Sequence, residues 1–365
     1  MIKYQKGDIM EKLWTENLRK IDPYVPGEQS RDKDIIKLNA NENPYPPSPK
    51  AVEVIKNFNA DRLRLYPDAN ALSLKQALAD YYGVEVKNIF LGNGSDDVIA
   101  VAFQALFNSD LPIAYPDLTY SFYPVWCSLF NIPYKTYPVG DDFRINPRDY
   151  KEKNGGVVIP NPNAPTSIGE GTDFVEKIME YNPDSVVIID EAYVDFGGVS
   201  SVPLTKKYEN LLVTGTFSKS RSLAGLRIGF AIGSERLVSV LEAVKNSYNS
   251  YTVDALSIEV GRASVLDDEY FKSTCNKIIS TRNRLTEELR QMGFSVLDSS
   301  ANFIFVTRDD LSMKDMFEYL KSKKIFIRYF SLPRIDNYVR ISIGTDSETD
   351  ALLKEIKEYI KNDKA

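Results

Sequence analysis

From about residue 85 the chain alternates short, β-branched apolar runs with amphipathic stretches, and this alternation narrows the possible folds more than any other feature. The runs at 88–91, 112–115, 157–160, 186–190, 211–214 and 228–232 read as strands covered on both faces, because a strand with one wet face would alternate polar with apolar residues. Helical patterns fall between them, as at 97–107 and 174–181. Strand–helix–strand order of this kind builds a mostly parallel sheet with helices on both sides. The expected fold is therefore α/β, with a large three-layer αβα domain around a mostly parallel central sheet.

After a long helical stretch over about 253–292 the texture changes. Strands are expected near Phe294, Phe303, Ile325 and Val339, with helices around 314–321 and 348–360, which suits helices on one side of a small mixed sheet. The first forty-odd residues hold Pro23-Tyr24-Val25-Pro26-Gly27 and Asn43-Pro44-Tyr45-Pro46-Pro47, too rich in Pro and Asn for core strands, and read as a wrapping arm. The expected division is an N-terminal arm at 1–45, a large domain at 46–265 and a smaller C-terminal α+β domain at 266–365. At 365 residues, the length supports more than one domain.

A formal charge of −6 argues against a general nucleic-acid or anionic-membrane surface, since both need clustered Lys and Arg. The apolar runs are too short to span a bilayer, and Met1-Ile2-Lys3-Tyr4-Gln5-Lys6 lacks a hydrophobic signal core, so the chain reads as cytoplasmic. Cys127 and Cys275, the only cysteines, read as buried, inert thiols. The chain has no histidine. That removes Ser-His-Asp and Cys-His triads, His-based metal sites and any His general base; no metal is expected. An enzyme here must use Lys, Asp, Tyr or Arg, or borrow its chemistry from a cofactor.

The sharpest constellation is Ile188-Ile189-Asp190-Glu191-Ala192-Tyr193, then Thr216-Phe217-Ser218-Lys219, then Ala224-Gly225-Leu226-Arg227. Its parts fall at the ends of successive candidate strands, where ligands bind in open α/β sheets, so Asp190 and Lys219 can converge. A carboxylate ending a buried strand is expected to find a cationic partner. Taken singly, Asp190 reads as a cap or ion pair and Lys219 as a surface lysine. Together, with hydroxyls at Thr216, Ser218, Ser220 and Ser222 and with Arg221 and Arg227 nearby, they make the polar, cationic setting in which a lysine serves as a nucleophilic amine.

Pyridoxal 5′-phosphate accounts for all of these parts. Lys219 would be its covalent anchor and, once freed, the proton carrier. Asp190 would keep the pyridine nitrogen protonated, and Ser218 and Arg227 would bind the phosphate. A second phosphate contact is suggested by Gly92-Asn93-Gly94-Ser95-Asp96-Asp97, a small-residue turn between strand and helix whose N–H groups can bind an anion. It lacks the third glycine of a dinucleotide-binding fingerprint.

Read end to end, the chain resembles the histidinol-phosphate aminotransferase family of fold-type-I pyridoxal phosphate enzymes. The resemblance rests on Leu38-Asn39-Ala40-Asn41-Glu42-Asn43-Pro44-Tyr45, Tyr66-Pro67-Asp68, Asn93-Gly94-Ser95-Asp96, Pro116-Asp117-Leu118-Thr119-Tyr120-Ser121, Asn161-Pro162-Asn163-Ala164-Pro165-Thr166, the Asp190 and Lys219 motifs, and Arg340-Ile341-Ser342-Ile343-Gly344-Thr345. It implies that Tyr120 stacks on the cofactor ring, Tyr193 bonds its 3′-oxygen, and Tyr66 reaches its phosphate from the other subunit of a homodimer. It implies, too, that Arg340 and Arg328 receive the substrate's anionic group while Tyr24 and Asn41 close the pocket.

The implied reaction joins L-histidinol phosphate and 2-oxoglutarate to imidazole-acetol phosphate and glutamate, a step of histidine biosynthesis. An aromatic-amino-acid aminotransferase or a threonine-phosphate decarboxylase of the same fold is the alternative. In one departure, Ala164 stands where the family usually has an asparagine against the cofactor's 3′-oxygen, and Ser167 replaces a glycine. Asn163 is then the candidate replacement.

Overall fold

The computed structural model describes residues 13–24, 32 and 34–363. The Met1 to Lys6 segment and Val25-Pro26-Gly27 of the expected arm lie outside the described residues. The strands are β1 (Ile36–Lys37), β2 (Ile89–Gly92), β3 (Ile113–Pro116), β4 (Tyr134–Tyr137), β5 (Gly156–Pro160), β6 (Val187–Asp190), β7 (Leu211–Thr216), β8 (Gly229–Gly233), β9 (Ser295–Val296), β10 (Phe303–Thr307), β11 (Ile325–Phe326), β12 (Arg328–Tyr329) and β13 (Val339–Ser342). The helices are α1 (Leu13–Glu16), α2 (Pro49–Asn57), α3 (Leu72–Tyr82), α4 (Ser95–Leu106), α5 (Tyr123–Phe130), α6 (Thr172–Tyr181), α7 (Glu235–Asn246), α8 (Ala255–Val265), α9 (Asp268–Gln291), α10 (Met313–Ser322) and α11 (Asp346–Asp363).

Strands β2 to β8 form a seven-stranded sheet in the order β2-β8-β7-β6-β5-β3-β4. Only β8 runs against its neighbours, β2 and β7. Each run expected as a strand forms one, and each is buried along its length. The strand missed from sequence is β4, whose Tyr, Lys and Thr side chains are mostly exposed because it is the sheet edge.

Side chains alternate across the sheet. Ile188 and Leu212 join a core shared with α4, α5 and α7, while Ile189 and Val213 join one shared with α3, α6 and α8. These are the three layers. Since β2, β3, β5, β6 and β7 run the same way, the loops after Gly92, Pro116, Pro160, Asp190 and Thr216 gather at one edge.

The helical stretch expected over 253–292 is two helices, α8 and α9, broken at an exposed Leu266. Beyond it, the order β12-β13-β10-β9 makes an antiparallel sheet, not the mixed one expected. Among the described strands of this part of the chain, the parallel pair is β1 with β11, which forms a separate two-stranded sheet that the chain leaves at Ile327 to enter β12. The arm, expected to hold no core strand, thus contributes a two-residue strand outside both larger sheets. Ile36 pairs at Ile325, and the next apolar residue, Leu38, is buried.

Ile304, Val306, Val339 and Ile341 pack on α9, α10 and α11. The alternate residues of β10, Phe303 and Phe305, face the other way, and Phe303 meets Ala164 and Tyr193 from the large sheet's loops. Arg340 is the cross-strand partner of Phe305 and so shares that face.

Candidate active site

Asp190 ends β6 at 5% exposure. Its carboxylate accepts from Tyr123 Oη at 3.0 Å, Thr214 Oγ1 at 3.3 Å and the Ala192 N–H at 3.3 Å. Among the described residues it has no Lys or Arg partner, contrary to the expectation of a cation. Burial pushes its carboxyl up to about 6, against the lowering effect of the three donors. Tyr123 was not singled out from sequence. It lies one helical turn beyond Tyr120, at the start of α5, and that spacing was the available signal.

Lys219 follows β7, and its Nζ donates to the Ala40 carbonyl at 3.2 Å and lies 5.7 Å from the centre of the Tyr193 ring. The segment 39–43 acts as a strap over the site. Asn39 O accepts from Arg340 Nη2 at 3.0 Å, and Asn41 Nδ2 donates to Tyr193 Oη at 3.0 Å. Asn43 Nδ2 donates to the carbonyls of Lys219 and Ser220. Three successive residues of the strap thus touch an arginine, a lysine and a tyrosine brought from other parts of the chain.

Arg227 caps a 3-10 turn with φ 52°, a left-handed conformation. Its guanidinium bonds Ser218 Oγ, Ala224 O and Asp96 Oδ2 at 3.3 to 3.4 Å. It lies over the N-terminus of α4, where Gly94 has φ 92° and a Cβ would come within 2.4 Å of Arg227 Nη2. On the other side Gly229 brings β8 against the same turn; a Cβ there would meet the Gly94 and Ser95 backbone at 2.4 to 2.5 Å. Thr216 Oγ1 accepts from the Ser218 N–H at 3.1 Å and holds that loop. Free helix N–H groups, Ser218 and Arg227 together form an anion cradle.

Arg221, expected in the same cationic neighbourhood, turns away from it. Its guanidinium stacks 4.1 Å over the Phe271 ring and donates to Ser264 O at 2.8 Å, because an aromatic pocket under α9 and a carbonyl at the end of α8 hold it there.

Tyr120 Oη donates to Asp96 Oδ1 at 2.7 Å, and its ring adjoins Phe122 and Trp126. Tyr24 stacks on Phe122 at 4.3 Å, so the described end of the arm lies beside this group. Asn163 Nδ2 donates to Leu118 O at 2.9 Å, leaving a buried Oδ1 without a partner among the described residues. Ala164 is apolar lining against Phe303 and Tyr193. Tyr66 is 82% exposed and stacks on Tyr251 at 4.6 Å; among the described residues the structure gives it no contact with the Lys219 group.

Arg328 and Arg340 face each other across β12 and β13. Arg340 lies 5.3 Å over Phe303 and 5.8 Å over Phe330, with Arg328 5.6 Å over Phe330. Burial lowers the Arg340 pKa, and Arg328 adds to the effect. Its Nε is buried with no partner among the described residues. Like charges set opposite each other are destabilising, and an anion between them would relieve that cost.

These groups suit pyridoxal phosphate on chemical grounds. A buried carboxylate with only neutral donors suits a protonated ring nitrogen, the α4 cradle suits a phosphate, and Lys219 supplies an amine between them. Cys127 and Cys275 are buried, and burial pushes each thiol up to about 12, so neither is a nucleophile here. Among the described residues no His, Cys, Asp and Glu group could hold a metal ion, and no helix is long and apolar enough to cross a membrane.

A large αβα sheet with a lysine, a buried aspartate and an anion cradle at its carboxyl edge defines a pyridoxal phosphate-dependent enzyme of fold type I. The sequence profile of aminotransferase class I and II matches residues 33–356, and the chain belongs to that family. Within it, the chain is 50% identical over 351 residues to the histidinol-phosphate aminotransferase of Clostridium acetobutylicum, covering 96% of this chain and 100% of that one. It is 48% identical over 356 residues to histidinol-phosphate aminotransferase 1 of Hydrogenovibrio crunogenus, covering 98% and 100%. The crystal structure of histidinol-phosphate aminotransferase from Sinorhizobium meliloti in complex with pyridoxal-5′-phosphate shares the fold, with a TM-score of 0.80 at 24% identity over 90% of this chain and 91% of that one.

Proposed function

We propose that the chain interconverts L-histidinol phosphate and 2-oxoglutarate with imidazole-acetol phosphate and glutamate, as a cytoplasmic enzyme of histidine biosynthesis. The observation that carries the substrate class is the Arg328–Arg340 pair. Two arginines opposed across a strand pair, one with an orphaned Nε, form a cationic recess on the face that also carries Phe303. Such a recess takes the phosphate of one substrate and the side-chain carboxylate of the other in alternate half-reactions. The relatives at 48 to 50% identity, named for histidinol phosphate, support the choice among phosphorylated amines.

Bound pyridoxal phosphate supplies an electron sink for the bond broken at the substrate's Cα. Lys219 would hold it, and the Nζ amine would be the group that carries the proton. In a chain without histidine, the Lys219 amine, 5.7 Å from the centre of the Tyr193 ring, is the base the site offers. Asp190 would hold a proton on the ring nitrogen, and Tyr193 would donate to the 3′-oxygen. Tyr120 stacks on the ring. Gly94, Ser95, Asp96, Thr216, Ser218 and Arg227 build the phosphate cradle. Tyr24 and Asn41 cover the substrate. We assign Asn163 a supporting place behind the ring, with its amide nitrogen already committed to Leu118.

This reading divides the chain into an arm (1–45), a cofactor-binding domain (46–265) and a small domain (266–365). The break between α8 and α9, and the separate core of α9, α10 and α11, support that division. It also makes the active unit a homodimer. Tyr66 stands 82% exposed beside exposed Leu63 and Leu65, as a residue serving a second subunit would.

The test is a half-reaction screen, following loss of the bound cofactor's visible absorption with histidinol phosphate, phenylalanine and threonine phosphate in turn. Histidinol phosphate is expected to react at least tenfold faster in kcat/KM. Preference for phenylalanine, or carbon dioxide release from threonine phosphate, would replace the substrate assignment while leaving the cofactor assignment in place.

A further inference from the structure

Asn41 is 1% exposed and has φ 54°, an uncommon conformation for a residue with a side chain. The groups around it explain why it stays there. Its N–H donates to Ser342 Oγ at 2.8 Å, and that hydroxyl donates back to Asn41 Oδ1 at 2.9 Å. Its carbonyl accepts from Asn302 Nδ2 at 2.9 Å. The reciprocal bond with Ser342 sets the direction of the amide. Turned over, Asn41 would leave the buried Ser342 O–H without an acceptor, which costs more than a made bond gains. The Nδ2 end therefore faces Tyr193 and donates to its hydroxyl at 3.0 Å.

A phenol that accepts an N–H on one side has its own O–H left to donate on the other. Among the described residues, the one side-chain hydrogen bond to the Tyr193 hydroxyl is that of Asn41. Ala164 packs against the Tyr193 ring without a polar group, and Asn163 Nδ2 is spent on Leu118 O. We infer that Asn41 is a positioning residue: by donating to Tyr193 it makes that hydroxyl a one-way donor into the Lys219 site, taking up the work that a donor at position 164 would otherwise share. Because Asn41 hangs on Ser342 and Asn302, beside β13 and β10, the donor strength of Tyr193 is tied to the seating of the small sheet that also carries Arg340.

The inference rests on the reading that pyridoxal phosphate occupies the Lys219 site with its 3′-oxygen toward Tyr193. A donor to that oxygen stabilises the negative charge left there when the bound cofactor loses its proton, so a weaker donor raises the pH at which the visible band changes. Asn41→Gly keeps the positive φ and removes the amide. Asn41→Asp keeps the shape but presents an acceptor, which draws the Tyr193 proton away. In the holoenzyme the midpoint of the spectral titration is expected to rise by about one pH unit in Asn41→Gly and further in Asn41→Asp.

Placed on a Tyr193→Phe background, Asn41→Gly is expected to add no further shift, since the residue acts through the phenol. An unchanged midpoint in Asn41→Gly or Asn41→Asp, or a full additional shift on the Tyr193→Phe background, overturns the inference. A parent protein that shows no visible band with pyridoxal phosphate overturns instead the cofactor reading beneath it. If the glycine variant does not fold, Asn41→Asp is read with and without Tyr193→Phe, and a rise that survives loss of the phenol overturns the inference, because the added charge then acts directly and not through Tyr193.

Discussion

Asp190, buried among neutral donors, illustrates what one residue costs and what it awaits. Its carboxyl is raised from an ordinary 3.8 to about 6 by burial. A raised carboxylate binds its proton more tightly folded than unfolded, so its burial costs nothing below the ordinary value and its full amount above about pH 6. The difference corresponds to about 3 kcal/mol. In the cofactor-free protein, Asp190→Asn is therefore expected to gain on its parent by up to about 3 kcal/mol between about pH 4 and pH 7. Urea unfolding of both proteins at the two pH values measures it, and a pH-independent difference rejects the argument. The same variant is expected to bind pyridoxal phosphate poorly, since the amide cannot hold the ring-nitrogen proton. Asp190 and Lys219 were legible in the sequence because Asp190 ends one apolar run and Lys219 follows the next among hydroxyls. Tyr123 was less so, because its spacing from Tyr120 signals a shared helical face but not which of the two turns inward.

At the scale of elements, the pairing of β12 with β13 decides the proposed anion recess. Arg328 faces Arg340, and the alternation of β13 turns Arg340 away from the apolar core of α9 to α11 toward Phe303. Neither fact follows from two arginines spaced along a chain, because a register slip of one residue would turn both to the other face. Replacing Arg340 with Met removes a desolvated charge with an orphaned Nε, so thermal stability of the cofactor-bound protein is expected to hold or rise. Loss of charge-assisted bonds to the substrate is expected to lower kcat/KM by about 10- to 100-fold for histidinol phosphate and for glutamate alike. Steady-state kinetics with each substrate, beside a melting curve, checks both halves. A loss confined to one substrate would mean that the recess serves only that one.

For the whole molecule, the exposed Tyr66 and its apolar neighbours bear on assembly. If Tyr66 completes the site of a second subunit, two inactive variants can complement each other. A subunit with Lys219→Ala keeps a good Tyr66, and one with Tyr66→Ala keeps a good Lys219, so a hybrid dimer holds one intact site. Mixing the two after partial unfolding and refolding is expected to restore activity that neither shows alone. No recovery in a preparation shown by sedimentation to contain hybrids would place Tyr66 outside the partner's site. At this scale the sequence was least informative, since exposure is a property of the assembled surface and 22 tyrosines offer no way to tell a surface ring from a core one.

The sequence alone determined the αβα sheet, because strands buried on both faces must be apolar throughout and parallel strands need helices between them. It also placed Asp190, Lys219 and Arg227 at strand ends, where one edge gathers them. Tertiary structure decided what those residues meet. It sent Arg221 into an aromatic pocket, gave Asp190 neutral donors in place of a cation, kept the small sheet antiparallel and drew the strap 39–43 over Arg340, Lys219 and Tyr193. The reason is physical. Periodicity along a chain reports which face is buried, whereas the partner of a polar group depends on contacts between residues far apart in sequence, and only the packed chain brings those together.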